Sequence, residues 1–454
     1  MRTIAAISTS PGIGGIGIIR ISGKEAFNIV DKIFKPKNNK EITGYSMKYG
    51  YIVDPKTQKK VDEVLVSYFV EPKSYTTENM CEINSHGSNI VMKEILNLCL
   101  ENGAELAEPG EFTKKAFLNG RIDLSQAEAV IELINSKTEK EAEASINQLE
   151  GFLKEEINKI KGKILEILTD IEASIDYPEY DIEEVTNEKA LKKLEEIENK
   201  LEKLEDSFKN GKIIREGIKT AIIGTPNAGK SSLLNAILKE ERAIVTEFEG
   251  TTRDTIEEFI NIDGIPVKII DTAGIREAND EVEKIGIKKA KQIAESSDLV
   301  IAIFDSSKEL SKEDKEILEL IKNKKAIIII NKIDIESRKI EEEYLKKYNK
   351  TIIEMSAKNK QGIDNLYKEI SNMFNINEIN VNEGITVTNV RHAELIRKAK
   401  EYSKKAQETI KNNMPIDIIA IDIKEIINCL NTITGENATE DIINEIFKKF
   451  CLGK

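Results

Sequence analysis

The stretch Gly224-Thr225-Pro226-Asn227-Ala228-Gly229-Lys230-Ser231-Ser232 puts glycines, one lysine and paired hydroxyls at the spacing that a phosphate group requires. Glycines let successive backbone N–H groups curl round an anion. A helix beginning at the end of such a loop adds unpaired donors and the positive end of its dipole. Lys230 can reach the β- and γ-phosphates, and the Ser231 hydroxyl can ligate Mg²⁺. Asn227, Ala228, Gly229 and Ser232 complete the cradle. A chance match in an ordinary loop is the bland alternative, and the flanks argue against it. Ile218–Ile223 reads as a buried strand and Leu233 to Leu238 as a helix.

Further motifs follow in an order that one ligand explains. The apolar run Ile265–Ile270 ends in Asp271-Thr272-Ala273-Gly274. Asp271 is placed to hold Mg²⁺ through water, and the Gly274 N–H to sense the γ-phosphate. The run Ala326–Ile330 ends in Asn331-Lys332-Ile333-Asp334. A carboxylate at Asp334 can accept from both the ring N–H and the exocyclic amine of guanine. Adenine lacks that donor pair, so GTP is expected over ATP. Ser356-Ala357-Lys358 follows a last apolar run and suits the guanine carbonyl. Between the first helix and the next strand lies Thr246-Glu247-Phe248-Glu249-Gly250-Thr251-Thr252, where a switch loop touching the nucleotide belongs. Thr252 is the expected second hydroxyl ligand of Mg²⁺. Ras-like proteins carry Gln just after Asp-x-x-Gly to orient water. Here Ile275 stands there and cannot, so Arg276, Glu277, Asp280, Glu281 or Glu283 must be considered.

These residues need a scaffold. Alternating strand and helix patterns over 215–377 predict a Ras-like, doubly wound α/β P-loop G domain. Residues 1–118 alternate short strands with turn signals and predict an α+β domain. Here Ile16–Ile21 is a strand after the glycine-rich turn Pro11–Gly15, and Ile90 to Leu100 an amphipathic helix. Residues 119–214 and 378–454 are helical, with Leu191, Leu194, Ile197, Leu201, Leu204 and Phe208 on one face. The expectation is one all-α domain built from both segments, with the G domain inserted into it. Arg391, Arg397, Lys398, Lys400, Lys404 and Lys405 outnumber Glu394 and Glu401. That reads either as an RNA or partner face or as a solvated helix face.

The whole-chain numbers set bounds. With 454 residues, two or three domains are expected. A formal charge of −13 does not advertise nonspecific nucleic-acid binding. Only two histidines, His86 and His392, leave little for a histidine metal site. No apolar run is long enough to span a bilayer, and the first residues read as a strand rather than an export signal. Cys81, Cys99, Cys429 and Cys451 are then expected as reduced thiols in a cytoplasm.

Outside the nucleotide motifs, the chain resembles the MnmE (TrmE) family of tRNA-modification GTPases over essentially its whole length. The resemblance rests on Pro11-Gly12-Ile13-Gly14-Gly15 running on to Ser22-Gly23, and on Ser74-Tyr75-Thr76-Thr77-Glu78-Asn79 with Glu82 and His86-Gly87. It also rests on Pro109-Gly110-Glu111-Phe112-Thr113, Ala116-Phe117-Leu118-Asn119-Gly120-Arg121, Leu124-Ser125-Gln126-Ala127-Glu128-Ala129 and Phe450-Cys451-Leu452-Gly453-Lys454. Thr77 and Asn79 stand where that family often has Gly and Asp, and Ser88 where a second Gly is common, so loop geometry is where this chain is expected to depart.

The resemblance implies an N-terminal dimerisation domain that binds a tetrahydrofolate derivative (5-formyl- or 5,10-methylene-tetrahydrofolate) through Arg20, Glu82, Arg121 and Lys454. It implies potassium-stimulated hydrolysis, with K⁺ held by Asn227, Thr246, Phe248 and Thr251, and water oriented by Glu283. It implies a homodimer that joins a flavoprotein, MnmG (GidA), in a heterotetramer. That assembly acts on tRNA, adding a carboxymethylaminomethyl or aminomethyl group at C5 of the wobble uridine. For Cys451, a catalytic or binding thiol near the folate and a packed, inert thiol both remain open. A regulatory GTPase of ribosome assembly is the alternative function.

Overall fold

The computed structural model describes residues 2–37, 41–176, 183–239, 243–244, 258–271, 291–379 and 385–454. Contacts divide the chain into two compact units, one of 1–134, 148–198 and 398–454, the other of 135–147 and 199–397.

The first unit opens with strands β1 (Ile4–Ile7), β2 (Gly14–Ser22), β3 (Phe34–Pro36), β4 (Tyr45–Val53), β5 (Lys60–Phe69), β6 (Met80–Gly87) and β7 (Glu105–Leu106). They form one sheet in the order β3-β4-β5-β6-β2-β1-β7, antiparallel except for β1 beside β7. Alternation sets its faces. In β6, Cys81, Ile83 and Ser85 point inward, while Glu82, Asn84 and His86 are more exposed. Helices Ala26–Ile33 and Asn89–Glu101 bury Ile29, Val30, Ile33, Met92 and Ile95 in the same cluster as Ile19, Ile21, Val66 and Ile83. Each such side chain contributes about 1.5–3 kcal/mol on burial. β2 starts at Gly14, so two glycines of the expected turn belong to the strand.

Helices make up the rest of this unit. Phe152–Asp176 turns Ile157, Ile160, Ile164, Ile167 and Ile171 inward at steps of three and four, each fully buried. Ile416–Thr434 packs on it. Glu111–Leu118 and Glu440–Phe447 meet through Ala116, Phe117 and Phe447, with Phe450 following.

The second unit contains β8 (Ile218–Gly224), β9 (Ala243–Ile244), β10 (Glu258–Ile262), β11 (Ile265–Asp271), β12 (Leu299–Asp305), β13 (Ala326–Asn331) and β14 (Thr351–Met355). The sheet order is β14-β13-β12-β8-β11-β10-β9, parallel from β14 to β11, with β10 antiparallel to both its neighbours. Both faces are covered, which is why β12 and β13 read as unbroken apolar runs. Ile222, Ile301, Ile303, Ile327 and Ile329 join one cluster with helices Lys230–Leu238 and Ile363–Met373. The residues between them, Ile223, Ala302, Phe304, Ile328 and Ile330, join another with helix Lys312–Ile321. This is the doubly wound α/β arrangement, and it brings the carboxyl ends of β8, β12, β13 and β14 to one edge.

Candidate functional site: a nucleotide cradle and a cationic site beside the first sheet

Backbone conformation builds the cradle. Asn227 and Gly229 have φ of 63° and 110°, turning the chain back on itself after β8. Gly229 precedes the helix Lys230–Leu238 and, among the described residues, no side chain caps that end, so the first-turn N–H groups face the loop. The helix begins at Lys230, three residues before the apolar pattern starts. Lys230 and both serines therefore occupy its first turn, with Ser231 and Ser232 exposed. The Lys230 ammonium donates to the carbonyls of Gly224 at 2.6 Å and Thr225 at 3.0 Å, which pins the cation at the loop.

One buried side chain ties this loop to the base-side loops. Asn331, 3% exposed, ends β13. Its Nδ2 donates to the Ala228 carbonyl at 2.9 Å, and its Oδ1 accepts from the Ala357 N–H at 3.0 Å. A Cβ at Gly229 would lie 2.0 Å from that Nδ2, so glycine is required there for space as well as for φ. Asp334 is exposed, and the fully buried Ser356 donates to its Oδ1 at 2.6 Å. That hydroxyl, above all, holds the carboxyl below its ordinary range, so it stays an acceptor. Lys332, at φ 66°, donates to Asp305 at 2.6 Å. Burial raises the Asp305 pKa, but the lysine and Ser307 outweigh it and the net shift is downward. An anion cradle of N–H groups thus stands beside a fixed carboxylate that can accept from a paired N–H face.

The first unit carries a separate polar site. Arg20 on β2 lies directly opposite Glu82 on β6. Its Nε and Nη2 donate to Glu82 Oε1 at 2.9 and 2.7 Å, and its Nη1 to the Gly453 carbonyl at 3.3 Å. The tail that supplies this carbonyl is held by Ser8, whose hydroxyl donates to the same oxygen at 3.0 Å. The N–H groups of Gly110 and Phe112 reach the carbonyls of Cys451 and Lys454. Arg121 stands with its guanidinium 4.5 Å from the centre of the Tyr75 ring. Arg20, Glu82, Arg121 and the tail are therefore neighbours, although 62 residues separate Arg20 from Glu82 and 433 separate it from Gly453. The preceding loop keeps Thr77 at φ 62°, a left-handed conformation that glycine adopts without penalty.

Comparison with known proteins decides the family. The model of the MnmE helical domain matches residues 124–451, and that of the GTP-binding protein TrmE N-terminus matches residues 3–121. The tRNA modification GTPase MnmE of Acetivibrio thermocellus is 51% identical over 455 positions, covering 100% of this chain and 99% of its own. The protein of the same name from Clostridioides difficile is 49% identical over 457 positions, with the same coverage. The chain belongs to the MnmE family. Among solved structures, the G domain of the T. maritima FeoB iron transporter is 27% identical, covering 34% of this chain and 98% of its own, with a TM-score of 0.26.

Of the nucleotide residues expected in this MnmE-family chain, Asn227, Ala228 and Gly229 fall on the P-loop turn, Lys230, Ser231 and Ser232 on the first turn of the following helix, Asn331 at the end of β13, and Lys332, Asp334, Ser356, Ala357 and Lys358 on the loops after β13 and β14. Asp271 is placed by its backbone as the last residue of β11. Thr246, Glu247, Phe248, Glu249, Gly250, Thr251, Thr252, Thr272, Ala273, Gly274 and Glu283 lie outside the described residues. Cys451 is exposed, while Cys81, Cys99 and Cys429 are buried, and burial above all pushes the Cys99 thiol up to about 12. The sequence reading missed Asp305 and Asp314, the latter accepting from the Thr225 hydroxyl at 3.1 Å. Asp305 ends a fully apolar strand, the signal that could have flagged it. On the basic helix, Lys404 pairs with Glu198 and Lys405 with Asp422, so both cations serve packing between helices of their own unit. Among the described residues no helix is long and apolar enough to cross a membrane.

Proposed function

We propose that this chain binds and hydrolyses GTP. With a flavoprotein partner of the MnmG (GidA) kind, it installs a carboxymethylaminomethyl or aminomethyl group at C5 of the wobble uridine of certain tRNAs. The observation that carries the GTP reading is the Asn331 bridge. It fixes the phosphate loop and the Ser356–Asp334 pair in one frame, so a guanine on Asp334 and a triphosphate on the Lys230 loop share one ligand.

In this reading Asp334 selects guanine through its two donors, and the loop and helix N–H groups bind phosphate oxygens while Lys230 offsets their charge. Ser231, exposed in the first helical turn, and Thr252 would hold Mg²⁺. Asn227, Thr246, Phe248 and Thr251 would hold K⁺. These cations supply electrostatic stabilisation of the charge that builds on the phosphates. Glu283 would orient the attacking water in place of the absent glutamine.

The Arg20–Glu82 pair supports the folate part of the reading. A carboxylate beside guanidinium groups suits a ligand with pterin N–H donors at one end and glutamate carboxylates at the other. The Arg121 side chain makes no hydrogen bond or ion pair among the described residues, and Lys454 completes the proposed set. The one-carbon donor would be a 5-formyl- or 5,10-methylene-tetrahydrofolate. We further propose an organisation of 1–118 as the folate-binding and dimerisation domain, with 119–214 and 378–454 as one helical domain into which the G domain, 215–377, is inserted. The protein would act as a cytoplasmic homodimer within a heterotetramer. Inserting the switch domain between two helical segments would let nucleotide state act on the helices.

The test is mass spectrometry of wobble nucleosides in total tRNA with and without the gene. Loss of C5-modified uridines on deletion, restored by the wild-type gene but not by Lys230→Ala, is the expected result. Unchanged nucleosides would leave a regulatory GTPase of ribosome assembly as the better reading.

A further inference from the structure

Two arginines share one aromatic ring. The guanidinium carbons of Arg20 and Arg121 lie 5.6 and 4.5 Å from the centre of the Tyr75 ring, both within cation–π range. They differ in every other respect. Arg20 is tied to Glu82 and Gly453, and it also approaches the Phe112 ring at 5.6 Å. Arg121 is exposed and, among the described residues, touches only Tyr75 by charge or ring contact. An exposed arginine normally samples many rotamers, and ordering it on a ligand costs entropy. The ring removes part of that cost beforehand.

Tyr75 is itself held firmly. Its hydroxyl is 3.0 Å from that of the fully buried Thr113. Its ring packs against the cluster of Ile4, Ala6, Ala107 and Phe112 and against the cluster that includes Ala116, Ile122 and Phe450. The loop around it is fastened from below. Ser22 meets Thr76 at 2.6 Å and donates to Glu78 at 2.9 Å. The buried Lys115 donates to Glu78 at 2.7 Å, and Asn119 to the Thr76 carbonyl at 2.7 Å. This network accounts for Thr77 being kept left-handed despite its branched Cβ.

We propose that Tyr75 is a positioning residue for anion recognition. Its ring presets Arg121, the guanidinium that has no ion pair among the described residues, so that Arg121 receives the carboxylates of a folate's glutamate tail while the Arg20–Glu82 pair faces the pterin. The proposal rests on the folate reading above and adds to it a residue that does not hydrogen-bond the ligand.

The experiment is equilibrium dialysis of the full-length protein with 5-formyltetrahydrofolate and, separately, with the matching reduced pterin that lacks the aminobenzoyl-glutamate tail. Tyr75→Leu keeps apolar bulk but removes the ring. Tyr75→Phe keeps the ring and removes the hydroxyl. The expected result is roughly tenfold weaker binding of the folate by Tyr75→Leu, with Tyr75→Phe within about threefold of wild type. Binding of the tail-less pterin should be equal in all three proteins. Folate affinity unchanged in Tyr75→Leu overturns the proposal while leaving the folate reading intact. Equal losses for folate and tail-less pterin also overturn it, because they mark a collapsed site. Absence of folate binding by the wild-type protein overturns both.

Discussion

Replacing Asn331 by alanine tests the frame on which nucleotide binding depends. The amide makes two hydrogen bonds in a dry place, since Ala228, Ala357 and Asn331 itself are all at most 4% exposed. Asn331→Ala leaves the Ala228 carbonyl and the Ala357 N–H without their partner. A buried group left unsatisfied costs about 1–3 kcal/mol, so the pair costs roughly 2–6 kcal/mol. Part of that appears as lower stability, and part as loops that reach bound geometry only when ligand is present. If half falls on binding, affinity drops about five- to 150-fold. The assay is titration with a fluorescent GDP analogue, which avoids turnover, beside urea unfolding of the same protein. A second variant sharpens it. Gly229→Ala drives a Cβ against Asn331 Nδ2, so the double variant Gly229→Ala/Asn331→Ala should lose less than the sum of the single losses. GDP affinity within threefold of wild type and an unchanged urea midpoint in Asn331→Ala would refute the bridge.

Other consequences can be checked singly. Asp334→Asn loses charge-assisted acceptance from guanine and sets an amide donor against the exocyclic amine; GTP affinity should fall at least a hundredfold, and xanthosine triphosphate, with a carbonyl there, should now be preferred. Xanthosine and guanosine triphosphates binding alike would contradict the assigned orientation. His86 donates its backbone N–H to Asp62 and pairs its ring Nδ1 with the same carboxylate at 2.7 Å, and that hydrogen bond, chiefly, raises its pKa above 6.5. The pair therefore contributes to stability below pH 6.5 and is lost as pH climbs through the raised value. An NMR titration of the ring should show a midpoint above 6.5 that falls in Asp62→Asn; a midpoint at or below 6.5 in the wild type rules the pair out. Gly453→Ala puts a Cβ 2.3 Å from the Ile7 carbonyl at a φ of 85°. The tail should lift, exposing it to carboxypeptidase and weakening 5-formyltetrahydrofolate binding about tenfold or more; equal digestion rates would show that the tail accepts a side chain. Glu283→Ala should bind GTP normally but lose hydrolysis by at least a hundredfold, and unchanged turnover would remove that residue from the mechanism.

Local chemistry was legible in the sequence, and long-range meeting was not. Gly229-Lys230-Ser231 announces its turn and helix because glycine, lysine and hydroxyl each have a fixed task within a few residues. Runs such as Ala326–Ile330 are readable because a strand covered on both faces has no polar alternation. Two strands carried signals that went unused. β6 alternates Cys81, Ile83 and Ser85 inward against Glu82, Asn84 and His86. Asp263 and Gly264, at φ 50° and 86°, form the tight turn of the β10–β11 hairpin, as an Asp-Gly pair often does. By contrast, nothing near Asn331 in the sequence says that its amide spans two loops. Arg20, Glu82 and Arg121 could be grouped only through family resemblance, because register across β2 and β6 and the packing of Tyr75 bring them together. The sequence also left the charge of Lys404 and Lys405 undecided, since their partners Glu198 and Asp422 lie on other helices.

The bond from Arg20 to Gly453 joins residues 433 apart in the chain. On the ribosome, Arg20 leaves the exit tunnel long before Gly453 has been added. At about 5–20 residues per second the wait is roughly 20 to 90 s. During that time the first sheet can fold while the Arg20–Glu82 pair lacks the tail that will cover it. Until Gly453 has been added, the Arg20 guanidinium and the Ser8 hydroxyl lack the carbonyl they share in the folded chain. A growing chain therefore holds Arg20 on Glu82 alone, and the cleft proposed for folate gains this wall only once residue 453 has been made.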